Sequence, residues 1–481
     1  MKVMQLTDIT KHIKCKKIYN LKNQKKYFNN IQTNSKLINN KSLLAINNKE
    51  FKNKFFLEAI NKNVVGIITS KYYKKISIPQ FIVHDVNLSI YNLLNTLFPA
   101  PPLNTVGITG TNGKTSVAWF ISQICFHSKV PVKTYGTLGY YIDGKKKENS
   151  DLTTPNFEVL FQKSNLKKNN PYNFIFEVSS HALDQDRIKN FNIDTAALTN
   201  ISHDHLDYHK NMKEYIKAKL KLFSKKLKKD GHAILNDNFK EIDKFKKKLN
   251  KKIRIITYGK KNSDVYINIK NKKNQIKIYK KNYILNLKQK SSIDLENISC
   301  AIACCLALKI NTNKIIESLK KLKNPPGRLQ KVMQSNNFKV YIDYAHTPDA
   351  LKKVLVNLTK KNKKPNLLFG CGGQRDKEKR SKMGMIANKY ANKVYITDDN
   401  PRNEDPGKIR KTILQNCKKG IEINNRKKAI KIAIKELKKN DILIIAGKGH
   451  EKIQIYKNQI KSFDDFSVAN FELKKLIKNE N

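Results

Sequence analysis

Short runs of β-branched and aromatic residues, each breaking into glycine or polar residues, alternate along most of the chain with stretches of helical periodicity. The first clear unit follows the proline-rich joint FPAPPLNT. There TVGITG at 105 to 110 opens into a glycine loop, and SVAWFISQICFHS at 116 to 128 has the apolar spacing of a helix. Buried-strand candidates recur at YNFIFEVSSH, TAALTNISHDH, HAILND and IRIITYG, separated by helical stretches, which predicts a parallel α/β sheet. A second joint, KNPPGRLQKV at 323 to 332, precedes KVYIDYAHT, NLLFGCGGQRD, KVYITDDNPR and DILIIAGKGHE. Each of these ends in polar residues directly after its apolar run. Ligands of doubly wound sheets bind beyond the carboxyl ends of the strands, so these endings predict one functional rim. The joints set boundaries near 100 and 325, giving domains 1–100, 101–325 and 326–481, the first with mixed signals.

Composition changes this picture little. A chain of 481 residues, 39% of them hydrophobic, is long enough for several cores. The longest apolar runs, such as ILIIA and AIACCLAL, fall far short of the ~18 residues of a membrane span. The N-terminal MKVMQLTDITKHIKCKK lacks the apolar segment of a signal peptide, so a cytoplasmic protein without a membrane partner is expected. Seven cysteines without a C-x-x-C spacing read as reduced structural thiols. A net charge of +57 invites nucleic acid as a partner, but the lysines are spread through the chain among Asn and Ile, as in KKNSDVYINIKNKKNQIKIYKKN. All three residues have A/T-rich codons, so base composition accounts for the excess. No specific nucleic acid is expected, and the protein is expected to be a monomer.

The candidate chemistry begins at GITGTNGKTS, 107 to 116. Counting back from Gly113, the usual G-x-x-x-x-G-K-[ST] loop requires glycine at 108, where this chain has Ile108, with glycines at 107 and 110 instead. The context nevertheless suits a nucleotide. A strand feeds the loop and a helix leaves it, which aims backbone N–H groups at phosphate. Lys114 is placed to reach the β- and γ-phosphates, and the Thr115 hydroxyl to bind Mg²⁺. Glu177, at the end of FIFEVSS, and His205, in HDHLD, offer further metal ligands at neighbouring strand ends. In NMKEYIKAKLKLFS the apolar residues Met212, Tyr215, Ile216, Leu222 and Phe223 share a helical face, and Lys219 lies among them. A lysine on a buried face loses solvation as a cation, so its neutral amine becomes available. Such an amine can take up CO₂ as a carbamate able to bridge metal ions, although the same slot also suits a snorkelling lysine.

The shifted loop GTNGKT resembles the ATP loop of the Mur ligases and of their relative folylpolyglutamate synthase. The likeness continues in the family's order through LTTPN, EVSSHALDQDRI, TNISHDHLDYH, PGRLQ, DYAHTPDAL, GCGGQRDKEKR, DDNPRNEDP and AGKGHE. The combination is similar to the family members that add a diamino acid in peptidoglycan precursor synthesis; the folate enzyme is not expected to carry DNPR or TNISHDHLDYH. The resemblance implies an α/β chain of three domains, with a central P-loop ATPase-like parallel sheet and a C-terminal Rossmann-like domain. It implies an ATP-dependent, amide-forming ligase that works through an acyl phosphate with Mg²⁺, on UDP-N-acetylmuramoyl-L-alanyl-D-glutamate and meso-diaminopimelate. A dead relative acting as a nucleic-acid scaffold is the alternative that the charge suggests, and the retention of Lys114, Glu177, His205 and Lys219 argues against it.

Site residues follow from the resemblance motif by motif. Gly110, Thr111, Asn112, Gly113, Lys114, Thr115 and Ser116 would bind ATP, with Asn297, Arg328 and Asp343, and with His346 beside them. Thr115, Glu177, His205 and Lys219 as its carbamate (N6-carboxylysine) would hold metal, and Lys114, Lys219 and His205 would be catalytic. Ser35, Thr153, Thr154, Ser179, Gln185 and Arg187 would contact the UDP-muramoyl peptide. Arg375, Asp399, Asn400, Pro401, Arg402, Gly447 and Glu451 would bind meso-diaminopimelate, the Arg402 fork reading the carboxylate that lysine lacks. The chain departs from the family pattern in three places. Asn34 and Lys36 flank Ser35 where D-S-R is usual, Asp294 stands three residues before Asn297, and INNKEFKN at 46 to 53 lacks the family's glycine- and histidine-containing loop.

Overall fold

The computed structural model describes residues 3–21, 25–46, 53–166, 171–270, 273–285, 287, 291–332, 337–359, 363–457 and 459–480. Most of INNKEFKN, residues 47–52, lies outside them. The chain divides into two compact units, Met1–Val106 with Val130–Asp194, and Gly107–Lys129 with Thr195–Asn481.

In the first unit, the mixed signals of the opening hundred residues resolve into a five-stranded sheet ordered Cys15–Tyr19, Gln80–Val83, Gly66–Thr69, Ser42–Ile46, Asn30–Gln32. Only the first pairing is antiparallel. The helix Val86–Leu97, capped by the Asp85 side chain on the Leu88 N–H, buries Ile90, Leu93, Leu94 and Leu97 in a core with Leu43, Ala45, Ile68 and Phe81. The same unit holds Val132–Gly136, parallel to Asn173–Glu177 and antiparallel to Gly139–Ile142.

The second unit contains the helix Lys114–His127 and the long helix Ser292–Ala307, whose start carries a capping box between Ser291 and Asp294. Asp294 is therefore spent on helix initiation, and it also accepts from Asn324 Nδ2 at 3.1 Å. The strand Leu227–Asn236 runs parallel to Arg254–Tyr258. The lysine- and asparagine-rich stretch beyond it is an antiparallel meander, Val265–Lys270, Lys273–Ile278 and Lys281–Leu285. Alternation explains this departure from a purely parallel expectation: Val265, Ile267, Ile276 and Ile278 are buried, whereas Tyr266 and Lys277 are half-buried and Asn268 and Gln275 exposed between them.

The end of the chain forms a six-stranded sheet ordered Gln330–Lys331, Lys339–Asp343, Ile442–Ala446, Asn366–Phe369, Val394–Ile396, Gly420–Glu422, parallel except at the first pairing. Its strands read as continuous apolar runs because both faces are covered. Leu367, Phe369, Val394, Ile396, Ile444 and Ala446 face one core with Leu351, Met383 and Ile409. The alternate residues Leu368, Tyr395, Leu443 and Ile445 face another with Ile430, Ile434, Ala469 and Leu473. The register sets Asp343 opposite Ala446 and Phe369 opposite Ile396, so these carboxyl ends form one rim.

Beneath that rim lies a fully buried ion pair. Arg426 donates to Asp465 at 2.7 and 2.8 Å and to the Ala446 carbonyl at 2.9 Å, and neither charged side chain reaches solvent. Truncating one partner of such a pair costs about 3–5 kcal/mol, because the other charge is left buried and alone. Arg426→Met is therefore expected to lower the urea midpoint strongly. Adding Asp465→Leu to it should restore most of the loss, measured by equilibrium unfolding.

Candidate active site

The glycine loop is held by its neighbours within the second unit. Thr111 N–H donates to the Asn200 carbonyl at 2.8 Å, and Asn112 N–H to Asn200 Oδ1 at 3.0 Å. A Cβ on Gly110, whose φ is +145°, would lie 1.8 Å from Thr199 Oγ1. One on Gly113, at φ +88°, would lie 2.5 Å from Asn297 Oδ1. Both glycines are thus required by close approach as well as by backbone conformation. The second of these contacts puts the buried Asn297 against the loop. Thr115 and Ser116 open the helix, both buried.

Lys219 is buried as expected, 1% exposed on a helix face with Tyr215, Ala218, Leu222 and Phe223, whereas Lys217 points outward. Its Nζ donates to the Gly110 carbonyl at 2.8 Å and lies 4.5 Å from the Tyr215 ring centre. Lys114 Nζ donates to the same carbonyl at 2.8 Å and to that of Thr111 at 2.9 Å. Burial pushes the Lys219 amine well below its ordinary range, the Lys114 charge adds to the effect, and Asp204 opposes it. Tyr215 completes the cluster, its hydroxyl 3.0 Å from Thr111 Oγ1.

Beyond the loop, His205 adopts a left-handed backbone at φ 55°, with Nε2 3.3 Å from Asp204 Oδ2. Burial alone would raise the Asp204 carboxyl, but His205, His346, Lys379 and Lys114 hold it below its usual value. His203 Nε2 lies 3.1 Å from Asp376 Oδ2, which ties the HDH segment to the GGQRD segment. Asp343 is buried and fixes two turns, accepting from Leu329 N–H at 2.7 Å and Ala345 N–H at 2.8 Å. Burial pushes its carboxyl up, with Arg328 opposing. The Arg328 guanidinium stacks 4.4 Å from the Tyr344 ring centre.

On the C-terminal rim, Arg402 sits at φ 54° with its N–H on the Ile455 carbonyl at 2.9 Å. Its Nη1 donates to the carbonyls of Gly373 at 2.8 Å and Asn400 at 3.3 Å. Burial lowers its pKa, the charge of exposed Arg375 adds to this, and Asp399 and Glu451 oppose it. Asn400 Nδ2 donates to Glu451 Oε2 at 2.8 Å, and Asp399 Oδ1 accepts the Asn400 N–H at 2.7 Å. A Cβ on Gly447, at φ +109°, would come 2.8 Å from Asp399 Oδ2. Turns from Gly373, Asn400, Arg402 and Gly447 thus bring Asp399, Arg402 and Glu451 together at these strand ends, with the exposed Arg375 near enough for its charge to act on Arg402.

In the first unit, Glu177 ends its strand with Oε1 accepting the Thr137 N–H at 2.8 Å and Oε2 the Thr137 hydroxyl at 3.1 Å. A Cβ at Gly136 would lie 2.2 Å from Glu177 Oε1, so the carboxylate needs that glycine. Thr153 Oγ1 is 3.2 Å from Thr137 Oγ1, and Thr154 Oγ1 donates to the Glu177 carbonyl at 2.9 Å. Ser179 N–H donates to Thr154 Oγ1 at 2.9 Å, and Arg187 Nη1 to the Thr154 carbonyl at 3.1 Å. Gln185 Oε1 accepts from Arg187 Nε at 2.8 Å. Gln185 and Arg187 line a cavity of about 560 Å³ with Thr33, Asn156 and Glu158. Ser35 is buried, its hydroxyl donating to Glu58 at 2.6 Å. Sequence reasoning missed Glu158 and Gly136, whose roles arise from partners distant in sequence. It placed Tyr215 on the apolar face without its hydroxyl contact to Thr111, and passed over Lys448 inside AGKGHE.

The middle of the chain, 108–305, matches the family model described as Mur ligase middle domain, and 327–449 matches that described as Mur ligase, glutamate ligase domain. A protein of Rickettsia montanensis named UDP-N-acetylmuramoyl-L-alanyl-D-glutamate--2,6-diaminopimelate ligase is 38% identical over 91% of this chain and 94% of its own. The chain belongs to the Mur ligase family. A relative of this Mur ligase with the same name, from Buchnera aphidicola subsp. Schizaphis graminum, is 37% identical over 92% of this chain and 95% of its own. Among solved structures, one titled as that ligase matches with a TM-score of 0.61 at 26% identity over 99% of this chain and all of the other. A MurF ligase of Thermotoga maritima in complex with ADP shares the fold, with a TM-score of 0.67 at 17% identity over 94% of this chain and 98% of the other.

Among the described residues no three His, Cys, Asp or Glu side chains converge as a preformed metal centre. The Thr115 hydroxyl and the Glu177 carboxylate are hard oxygen donors of the kind Mg²⁺ takes, an ion that needs one or two carboxylates and completes its shell with water and substrate phosphates. A carbamate on Lys219 would add an anionic oxygen at the loop.

His346 gives a pH signature. Burial pushes its imidazole down from 6.5 to about 4, with Lys379 adding to the effect, so the folded protein keeps it neutral where the unfolded chain binds a proton. Its contribution is present at neutral pH and is lost as pH falls from 6.5 towards 4. His346→Gln is expected to flatten the pH dependence of unfolding free energy in that window, measured by denaturant titration.

Proposed function

We infer that this Mur ligase couples ATP hydrolysis to amide formation between the D-glutamate of UDP-N-acetylmuramoyl-L-alanyl-D-glutamate and meso-diaminopimelate. The observation that carries the choice of amino acid is the DNPR turn. There Arg402 is fixed by two carbonyls beside a second arginine and the Asn400–Glu451 pair. A guanidinium held in that way reads a carboxylate, and the facing Glu451 reads an ammonium, so the pocket complements the distal amino-acid end of meso-diaminopimelate.

The reaction follows from charge. A carboxylate oxygen of the glutamate attacks the γ-phosphorus of ATP and ADP leaves, giving an acyl phosphate. The amine of the diamino acid then attacks the carbonyl carbon, and phosphate departs as the amide forms. Lys114 neutralises the transferred phosphoryl group from the glycine loop, whose N–H groups orient the nucleotide. Asn297, Arg328 and Asp343 support the nucleotide from the far side. Thr115, Glu177, His205 and carbamylated Lys219 would hold Mg²⁺, which when bound supplies Lewis-acid neutralisation between the two anions. Ser35, Thr153, Thr154, Ser179, Gln185 and Arg187 hold the UDP-muramoyl peptide. Burial favours the neutral amine of Lys219, the form that takes up CO₂. Three domains, 1–100, 101–325 and 326–481, are the arrangement these roles suit. Cytoplasmic location and action as a monomer accord with soluble substrates, and no helix among the described residues is long and apolar enough to cross a membrane.

ADP release is expected only when both the UDP-muramoyl dipeptide and meso-diaminopimelate are present, and L-lysine should substitute poorly. Loss of a charge-assisted pair of this kind costs about 2–5 kcal/mol. Arg402→Ala should therefore lower kcat/KM for meso-diaminopimelate by tenfold or more while leaving KM for ATP and the already poor use of lysine nearly unchanged. Equal losses for both amino acids would assign Arg402 to loop support instead. For Lys219, activity of a CO₂-stripped preparation should fall and recover on adding bicarbonate. A fully active enzyme with an unmodified Lys219, seen by high-resolution density, would contradict the carbamate.

A further inference from the structure

One charged side chain on the amino-acid rim has no role in the reading above. Lys448, the lysine of AGKGHE, is 0% exposed, yet its ammonium makes three contacts, to Asn400 and to Glu451 and Ile453 just beyond it. It donates to Asn400 Oδ1 at 3.0 Å, to Glu451 Oε2 at 3.3 Å and to the Ile453 carbonyl at 2.6 Å. An ammonium has three donors, so all are used. Glu451, by contrast, keeps about 30% of its side chain open to solvent. The charge therefore lies beneath the carboxylate rather than in the pocket.

The contacts form a closed set. Asn400 Oδ1 also accepts the Ile455 N–H at 3.1 Å, and its amide donates to Glu451 Oε2 at 2.8 Å, so Lys448 and Asn400 grip the same carboxylate oxygen. The strand Ile453–Tyr456 that Lys448 holds through Ile453 also accepts the Arg402 N–H on Ile455. One oxygen of Glu451 is thus occupied twice, while the other accepts only a long bond from the Tyr344 hydroxyl at 3.4 Å.

We propose that Lys448 is a positioning residue for amino-acid binding, orienting the Glu451 carboxylate towards the distal ammonium of the incoming diamino acid by holding its inner oxygen together with Asn400. This rests on the proposed function of the rim. It differs from the role of Arg402 in what it discriminates: Glu451 serves an ammonium that meso-diaminopimelate and lysine share, so loss of Lys448 penalises both, whereas loss of Arg402 penalises only the former.

The test is a double-mutant cycle in the full-length enzyme, with initial rates of ADP release for wild type, Lys448→Met, Glu451→Gln and the double variant. Lys448→Met should raise KM for meso-diaminopimelate tenfold or more, leave KM for ATP within twofold, and raise KM for lysine in proportion. In the Glu451→Gln background the same change should cost less than twofold, because the carboxylate it orients is gone. Independent, multiplying losses, or a parallel rise in KM for ATP, would overturn the proposal by showing a general structural role. If Lys448→Met does not fold, Lys448→Gln carries the cycle with the same two outcomes, since it keeps a donor without the charge. A wild-type enzyme that ignores meso-diaminopimelate would sink the functional reading and this proposal together. A responsive wild type with multiplying losses sinks only the role of Lys448.

Discussion

Two lysines from distant parts of the sequence place their side-chain nitrogens on one oxygen, the carbonyl of Gly110, each at 2.8 Å. Burial of Lys219, with the Lys114 charge adding to it, disfavours the ammonium and pushes the Lys219 amine well below its ordinary range. The loop can tolerate this only because Gly110 and Gly113 let Thr199 and Asn297 pack where a side chain would otherwise stand. Loop conformation and the chemistry of the buried amine are consequently one constraint.

The same economy recurs on the C-terminal rim. Alternation along Asn366–Phe369, Val394–Ile396 and Ile442–Ala446 buries both faces of the sheet, leaving the polar residues nowhere to go but the strand ends. There the ion pair Arg426–Asp465 lies under the turns, with Arg426 also bonded to the carbonyls of Ala446 and Asp398. A buried ion pair bonded to the backbone at Asp398 gives the turn that carries Asp399, Asn400 and Arg402 a fixed floor, and in the proposed reading such pre-organisation keeps the site from reorganising when substrate arrives.

Much of this was legible in the residues themselves. Continuous apolar runs ending in polar clusters marked the strands of the parallel sheets and the rim, and Lys219 stood out because an ionisable residue occupied an apolar helical slot. What was not legible depended on partners far away in sequence. The meander at 265 to 285 hides its alternation under lysines and asparagines that are ordinary at exposed strand positions. Gly136 is needed only because Glu177 packs against it, which the local sequence does not disclose. Glu158 is buried and joined to Thr33 N–H at 3.1 Å, a contact across more than a hundred residues. Asp294 and Ser35 are further cases: the departure from the family pattern at Asp294 serves a capping box, and the Ser35 hydroxyl donates to Glu58, pairings that the motifs do not disclose.

The account makes the glutamate carboxylate the atom donor in phosphoryl transfer, and isotope tracing tests that claim most directly. The UDP-muramoyl dipeptide is prepared with ¹⁸O in the side-chain carboxylate of its D-glutamate and turned over with ATP and meso-diaminopimelate, and the released phosphate is analysed by mass. An acyl phosphate places one labelled oxygen in each phosphate formed. Unlabelled phosphate accompanied by amide product would contradict it, because the carboxylate oxygen would then have left by another route.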